Sequence, residues 1–194
     1  KQQTVSNWVQ AVPAKFMFCP KLSRYVTHIK KLHEPEITLP SFFDAIAALK
    51  KHCGPILIQL PPSLKFEETV ANTFFQYLHQ HFPHYKYAIE IRHNSWLEKS
   101  SLQLMKHYKI ALVMAHSGGK YSYTEILTAR HVYMRFHGPN GNYNSSYRKK
   151  QLQYFANKIK KFATSHTVWA FFNNDGKGYA VKNANTLIDL IKKQ

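Results

Sequence analysis

A chain of 194 residues that is 44% hydrophobic and 19% charged, with only 7 Gly and 9 Pro, has the size of one domain and excludes disordered, collagen-like and low-complexity classes. No apolar run approaches the roughly 18 residues that a bilayer-spanning helix needs, so no membrane partner is expected. The formal charge of +17 is uneven, with 12 basic and 7 acidic residues in 1–99 but 15 and 3 in 100–194, a balance that favours anionic partners without naming a reaction.

The sequence opens on Lys1-Gln2-Gln3-Thr4-Val5-Ser6, with neither an initiator Met nor a signal-peptide core, and is expected to begin inside a longer protein. Clusters of β-branched, aromatic and aliphatic residues between breakers predict a first strand at Phe16–Leu22 and a second at Ile56–Leu60. Helical spacing fills Ser41–His52, closed by Gly54 and Pro55, and Phe66–His81, closed by Pro83. A strand at Tyr87–His93, a helix at Trp96–Tyr108 and a strand at Ile110–His116 follow. Ser117–Arg130 reads as a loop. Then come a strand at Val132–His137, a helix at Tyr147–Phe162, a strand at Val168–Asn174 and a helix at Asn183–Lys193. Cys19 and Cys53 form no C-x-x-C pair. They read as small buried thiols in a reducing, cytoplasmic setting.

Strand alternating with helix, without hairpin signals, predicts a parallel α/β sheet in a single domain over 1–194. Polar residues crowd one face late in the strands: Lys21, Gln59, Glu90, Arg92, Arg135 and His137. Under the helices of an open sheet, each such charge would cost several kcal/mol to desolvate, on the order of a buried ion. In a closed barrel they point into the mouth, so a TIM-type (β/α)8 barrel is expected. Six strands would leave it short of two.

Several motifs in order and spacing carry a family resemblance: Trp8, Phe16-Met17-Phe18, Lys21 and Thr27-His28; Gln59-Leu60-Pro61-Pro62-Ser63; Glu90-Ile91-Arg92-His93 and Trp96. They continue with Tyr133-Met134-Arg135-Phe136-His137-Gly138, Phe171-Phe172-Asn173-Asn174-Asp175-Gly176 and Asn183-Ala184. From Val5 to about Ile191 the chain resembles the YecE-like proteins, domain-of-unknown-function family number seventy-two. The resemblance implies a TIM-barrel fold lacking an N-terminal portion with the first two strands; it does not imply an activity, because the family has no established one. Where members usually place an Asp, this chain has Ala115-His116-Ser117.

Glu90, a rare late-strand carboxylate, is a candidate general base, or else a buried ion-pair partner of Arg92 or Arg135. Arg135 and His137 share a strand face ahead of Gly138-Pro139-Asn140-Gly141-Asn142. Barrels often bind phosphate in such loops, where Arg grips the oxyanion and His moves a proton. Asn173 and Asn174 are candidates for orienting a hydroxyl or phosphate, or for shaping a turn with Asp175 and Gly176. Lys21, Gln59 and Arg92 complete the inner candidates. His28 and His93 read as rim or loop histidines.

No H-x-H, H-E-x-x-H or Cys cluster is present, so no metal is assigned, and no cofactor is identified. Lys50-Lys51, Lys160-Lys161 and Lys192-Lys193 fall at helix C-termini, where cations offset the macrodipole. Arg148-Lys149-Lys150 instead opens a helix against its dipole, a placement that an anion or plain solvation would relieve. Tyr121, Tyr123, Tyr143 and Tyr147 sit in or beside these loops and suit ring stacking or rim packing. Two functions follow as expectations. One is an enzyme acting on a phosphate-bearing substrate, nucleic acid included, with Arg135 holding the anion and Glu90 and His137 in acid/base or metal roles; the other is a non-catalytic nucleic-acid-binding protein using Arg148, Lys149 and Lys150.

Overall fold

The computed structural model describes residues 2–192, so Lys193, the expected end of the last helix, lies outside the described residues. The chain divides into two compact units, residues 1–110 and 111–194.

In the first unit, α1 (Gln2–Gln10) buries Val5 and sets Trp8 against Phe18, with ring centroids 6.4 Å apart. A π-helical turn at Tyr25–Ile29 leads to the short α2 (Pro35–Thr38) and α3 (Pro40–Ile46). Both begin on proline, whose fixed φ and missing N–H suit a first helical turn. A 3-10 segment at Ala47–His52 precedes β1 (Ile56–Gln59). α4 (Glu68–His81), β2 (Tyr87–Glu90), a 3-10 turn at Asn94–Leu97 and α5 (Lys99–His107) complete the unit. β1 and β2 run parallel, Ile56 opposite Tyr87 and Gln59 opposite Glu90. Ile56, Ile58 and Ile89 pack in a core with Phe74, Phe75 and Trp96, all nearly inaccessible. The Trp96 indole N–H donates to the Leu64 carbonyl at 2.9 Å, satisfying the one polar group that its burial would strand.

The second unit holds β3 (Ala111–Leu112), β4 (Met114–His116), β5 (His131–Phe136), α6 (Lys149–Ala163), β6 (Thr167–Phe172) and α7 (Tyr179–Lys192). β4, β5 and β6 are parallel, with Met114 opposite Met134 and Met134 opposite Ala170. Met134, Phe136 and Val132 meet Leu152, Phe155 and Ala156 of α6 and Leu187 of α7 in one buried cluster. The apolar residues of α6 recur at three- and four-residue steps, giving the stripe that covers a sheet face.

A (β/α)8 barrel short of its first two strands is not what forms. The described residues hold six strands in two three-stranded sheets, an α/β fold without the eight strands of a barrel. The inference from polar strand faces fails for a physical reason. Glu90 and Arg92 neutralise each other at 2.6 Å with both side chains at most 3% exposed, so their burial needs no solvated mouth. Nor do the strands alternate: β1 is buried at Ile56, Leu57 and Ile58 alike, and β2 throughout.

Phe16–Leu22 forms no ladder, only isolated bridges from Phe18 to Cys53 and from Lys21 to Leu57. Pro20 within it has no N–H to give. Ile110–His116 breaks at Val113 into β3 and β4. Cys19 and Cys53 are free, half-buried thiols. Burial, with Cys53 adding to it, pushes Cys19 up to about 12, and burial pushes Cys53 up to about 11. Among the described residues no helix is long and apolar enough to cross a membrane.

Candidate functional site

The residues singled out from the sequence fall in both units. In the first, Lys21 is exposed beside its bridge to Leu57, and Gln59 ends β1 opposite Glu90. The Glu90 carboxylate is fully buried and accepts from the Arg92 guanidinium at 2.6 Å, so a base role would mean giving up a charge-assisted bond. His93 caps the Asn94–Leu97 turn, accepting from the Ser95 amide at 3.2 Å. His28 lies 2.8 Å from the Thr27 hydroxyl.

In the second unit, Arg135 is half-buried on β5, in register with Ala115 and Phe171. His137 follows β5, 1% exposed. Its amide donates to the His116 carbonyl at 2.9 Å, and the Tyr143 ring lies 5.1 Å from its own. The Gly138–Asn142 loop spends its amides internally: Gly138 N–H donates to the Tyr147 hydroxyl at 3.1 Å, Asn140 to Ser145 Oγ at 3.1 Å and Gly141 to the Gly138 carbonyl at 3.0 Å. Asn173 donates through its amide to the Phe136 carbonyl. Asn174, inaccessible to solvent, donates from Nδ2 to the Ser145 carbonyl and to Asn183 Oδ1, both at 2.8 Å. Asn183 Oδ1 also accepts the Tyr147 amide at 3.1 Å. These asparagines therefore fasten the Ser145–Tyr147 segment to α7.

The loops after β4 and β5 interlock through two glycines with positive φ. A Cβ on Gly118 would lie 2.3 Å from the Pro139 carbonyl oxygen, and one on Gly141 would lie 2.0 Å from that of Ser117. Only glycine permits approach this close.

Two clefts open at the start of α6. The first, about 460 Å³, is lined by Pro139, Asn140, Ser145, Ser146, Arg148, Lys150 and Gln151. The second, about 430 Å³, is lined by His116, Tyr123, Lys150, Gln151, Tyr154 and Phe155. Lys150 and Gln151 border both, and no carboxylate lines either. Gln151 Oε1 accepts the Arg148 backbone amide at 2.9 Å, capping the helix with its oxygen and not with its NH2. Arg148, Lys149 and Lys150 are all exposed.

His116 is the ordered polar group of the second cleft. Its Nδ1 lies 2.9 Å from the Tyr147 hydroxyl, which accepts the Gly138 N–H at 3.1 Å and reaches the His116 carbonyl at 3.4 Å. A hydroxyl has one proton to give and two lone pairs, so either ring tautomer satisfies this contact, which fixes the ring's orientation. Burial, with the neighbouring His137, holds the His116 pKa below its ordinary value. The Tyr147 phenol is pushed up by burial and stays protonated.

Of the sequence candidates, Arg148 and Lys150 thus meet in one cleft, while Gly138, Asn173 and Asn174 serve the loops behind it. His116, Gln151, Tyr154 and Asn183 were not read as site residues. For Gln151, the signal was present three residues after Arg148, at helix-capping spacing. For His116, the Tyr147 partner is 31 residues away and leaves no local trace. Among the described residues no three His, Cys, Asp or Glu side chains gather as metal ligands.

A family model described as "Protein of unknown function DUF72" matches residues 1–194. No curated protein matches. A DUF72 family protein from Thermotoga maritima is similar in structure, with TM-score 0.89 at 24% identity, over 100% of this chain and 80% of that one. One from Enterococcus faecalis matches with TM-score 0.86 at 21% identity, over 100% and 80%. These likenesses show a shared fold.

Proposed function

The chain belongs to the DUF72 family of proteins of unknown function, and from the site it carries we propose that it is an enzyme binding a phosphate-bearing substrate in the cleft at the start of α6. The observation that carries this reading is the first cleft: two cations, Arg148 and Lys150, face hydroxyls and amides with no carboxylate in the lining. Arg148 and Lys150 hold the phosphate oxygens, Arg through its planar fork and Lys as a point charge. Ser145, Ser146 and Asn140 supply neutral hydrogen bonds. The His116 imidazole at the adjoining cleft, oriented by the Tyr147 hydroxyl, is the titratable group offered to a substrate oxygen. Glu90 and His137 have no part in this reading, since one is engaged by Arg92 and the other is covered beside Tyr143.

Calorimetric titration with inorganic phosphate tests it. The double variant Arg148→Ala, Lys150→Ala is expected to lose at least about tenfold in affinity, the loss of one charge-assisted bond of about 1.5–3 kcal/mol. Unchanged affinity removes the cleft from the reading. A second reading, nucleic-acid binding without catalysis, is favoured by the exposed run Arg148-Lys149-Lys150. It requires steep salt dependence and a log–log slope that flattens by about 2–3 units when all three are replaced.

A further inference from the structure

The cleft beside the proposed phosphate site is built from ring faces, and we propose that it holds the base of a free nucleoside 5′-monophosphate whose phosphate occupies the Arg148–Lys150 cleft. The inference rests on the phosphate reading and names the class of ligand. Lys150 and Gln151 border both spaces, so the two adjoin and the proposed ligand spans them.

The walls of the second cleft are fixed before any ligand arrives. The Tyr123 hydroxyl donates to Glu125 Oε1 at 3.1 Å and the Tyr154 hydroxyl to the same oxygen at 3.3 Å. Lys158 holds the other oxygen at 2.7 Å and lies 5.4 Å from the Tyr154 ring centroid. Both tyrosines thus spend their polar ends on one carboxylate that does not line the cleft, and leave their rings to it. Phe155 lies 5.3 Å from Tyr154 and 5.1 Å from the His116 ring.

The polar groups on this lining include two donors beside the His116 ring, whose Nδ1 is turned to the Tyr147 hydroxyl. Gln151 presents its NH2 because Oε1 accepts from Arg148, and Lys150 is a cation. Donors around aromatic faces recognise a ring with carbonyl or ring-nitrogen acceptors on its edge. An aliphatic sugar phosphate would leave the aromatic faces unused. One aromatic-walled cleft beside one cationic cleft suits a base and its own phosphate.

Calorimetry on the full chain with four probes tests the assignment: inorganic phosphate, ribose 5-phosphate, a nucleoside 5′-monophosphate and its unphosphorylated nucleoside. The nucleotide is expected to bind about tenfold or more tightly than ribose 5-phosphate, the gain of stacking one base. Tyr154→Ala, at a half-exposed helix position, is expected to remove most of that gain and leave inorganic phosphate binding unchanged. Tyr154→Phe keeps the ring and is expected to retain it. Equal binding of ribose 5-phosphate and nucleotide, or indifference to Tyr154→Ala, overturns the base subsite and leaves the phosphate reading standing. A nucleoside that binds as tightly as its phosphate overturns the phosphate reading instead, and no binding of any probe overturns both. A 5′-phosphorylated trinucleotide that binds more tightly than the mononucleotide overturns the assignment to a free nucleotide.

Discussion

Replacing Tyr147 by Phe removes one oxygen and tests whether that oxygen organises the site. The hydroxyl accepts the buried Gly138 N–H at 3.1 Å and faces His116 Nδ1 at 2.9 Å. Phe keeps the ring contacts with Phe136, 5.7 Å, and Phe155, 6.0 Å, so packing is held nearly constant. Stranding the Gly138 donor costs about 1–3 kcal/mol, and the lost bond to His116 about 0.5–1.5 kcal/mol. A total loss of about 2–4 kcal/mol lowers Tm by roughly 4–16 °C for a chain of this length. Thermal unfolding measures the total, and amide hydrogen exchange locates it, since the Gly138 amide should exchange faster than in the parent. A Tm within about 2 °C of the parent together with unchanged Gly138 exchange would refute the role assigned to the hydroxyl.

Two further outcomes follow from groups elsewhere. The folded His116 pKa lies below its ordinary 6.5, so the unfolded chain takes up this proton first. Its contribution to stability is therefore full above about pH 6.5 and is lost as pH falls from there toward the folded value. Urea midpoints at pH 7.5 and 5.5 should differ less in His116→Gln than in the parent, and an equal difference would show that another group sets the slope. Arg92→Ala takes a charge-assisted bond from the fully buried Glu90 carboxylate and should cost about 3–5 kcal/mol, whereas Glu90→Leu with Arg92→Met should cost markedly less. Equal losses in denaturant titrations of the single and double variants would show that the two side chains do not act as a pair.

The strand runs that sequence periodicity marks most firmly, Ile56–Leu60, Val132–His137 and Val168–Asn174, correspond to β1, β5 and β6. Each is rich in aliphatic or aromatic side chains, although β1 and β5 are mostly buried while β6 is exposed or half-buried throughout. α1 escaped the reading because Val5, Trp8 and Val9 are too few apolar positions to establish a period in a nine-residue helix. Side-chain alternation did not identify the fold, because a late-strand carboxylate can be neutralised by an arginine just past the strand's end, as Glu90 is by Arg92. The cations at the start of α6 were legible because their sign opposes the helix dipole. Of the aromatic cleft only Tyr123 was legible, as a stacking candidate: Glu125, Tyr154 and Lys158 join it only through the packing of a long loop on α6.

The glycine pair that keys the loop after β4 to the loop after β5 binds their histories together. Each backbone carbonyl, of Ser117 and of Pro139, occupies the space that a side chain on the other loop's glycine would need. A residue inserted into either loop would push its neighbour's peptide out of place, so a change in length of one calls for a compensating change in the other. Pro139 and Asn140 line the cationic cleft, and the shape of that cleft is therefore inherited in part from Ser117 to Lys120, residues that do not line it.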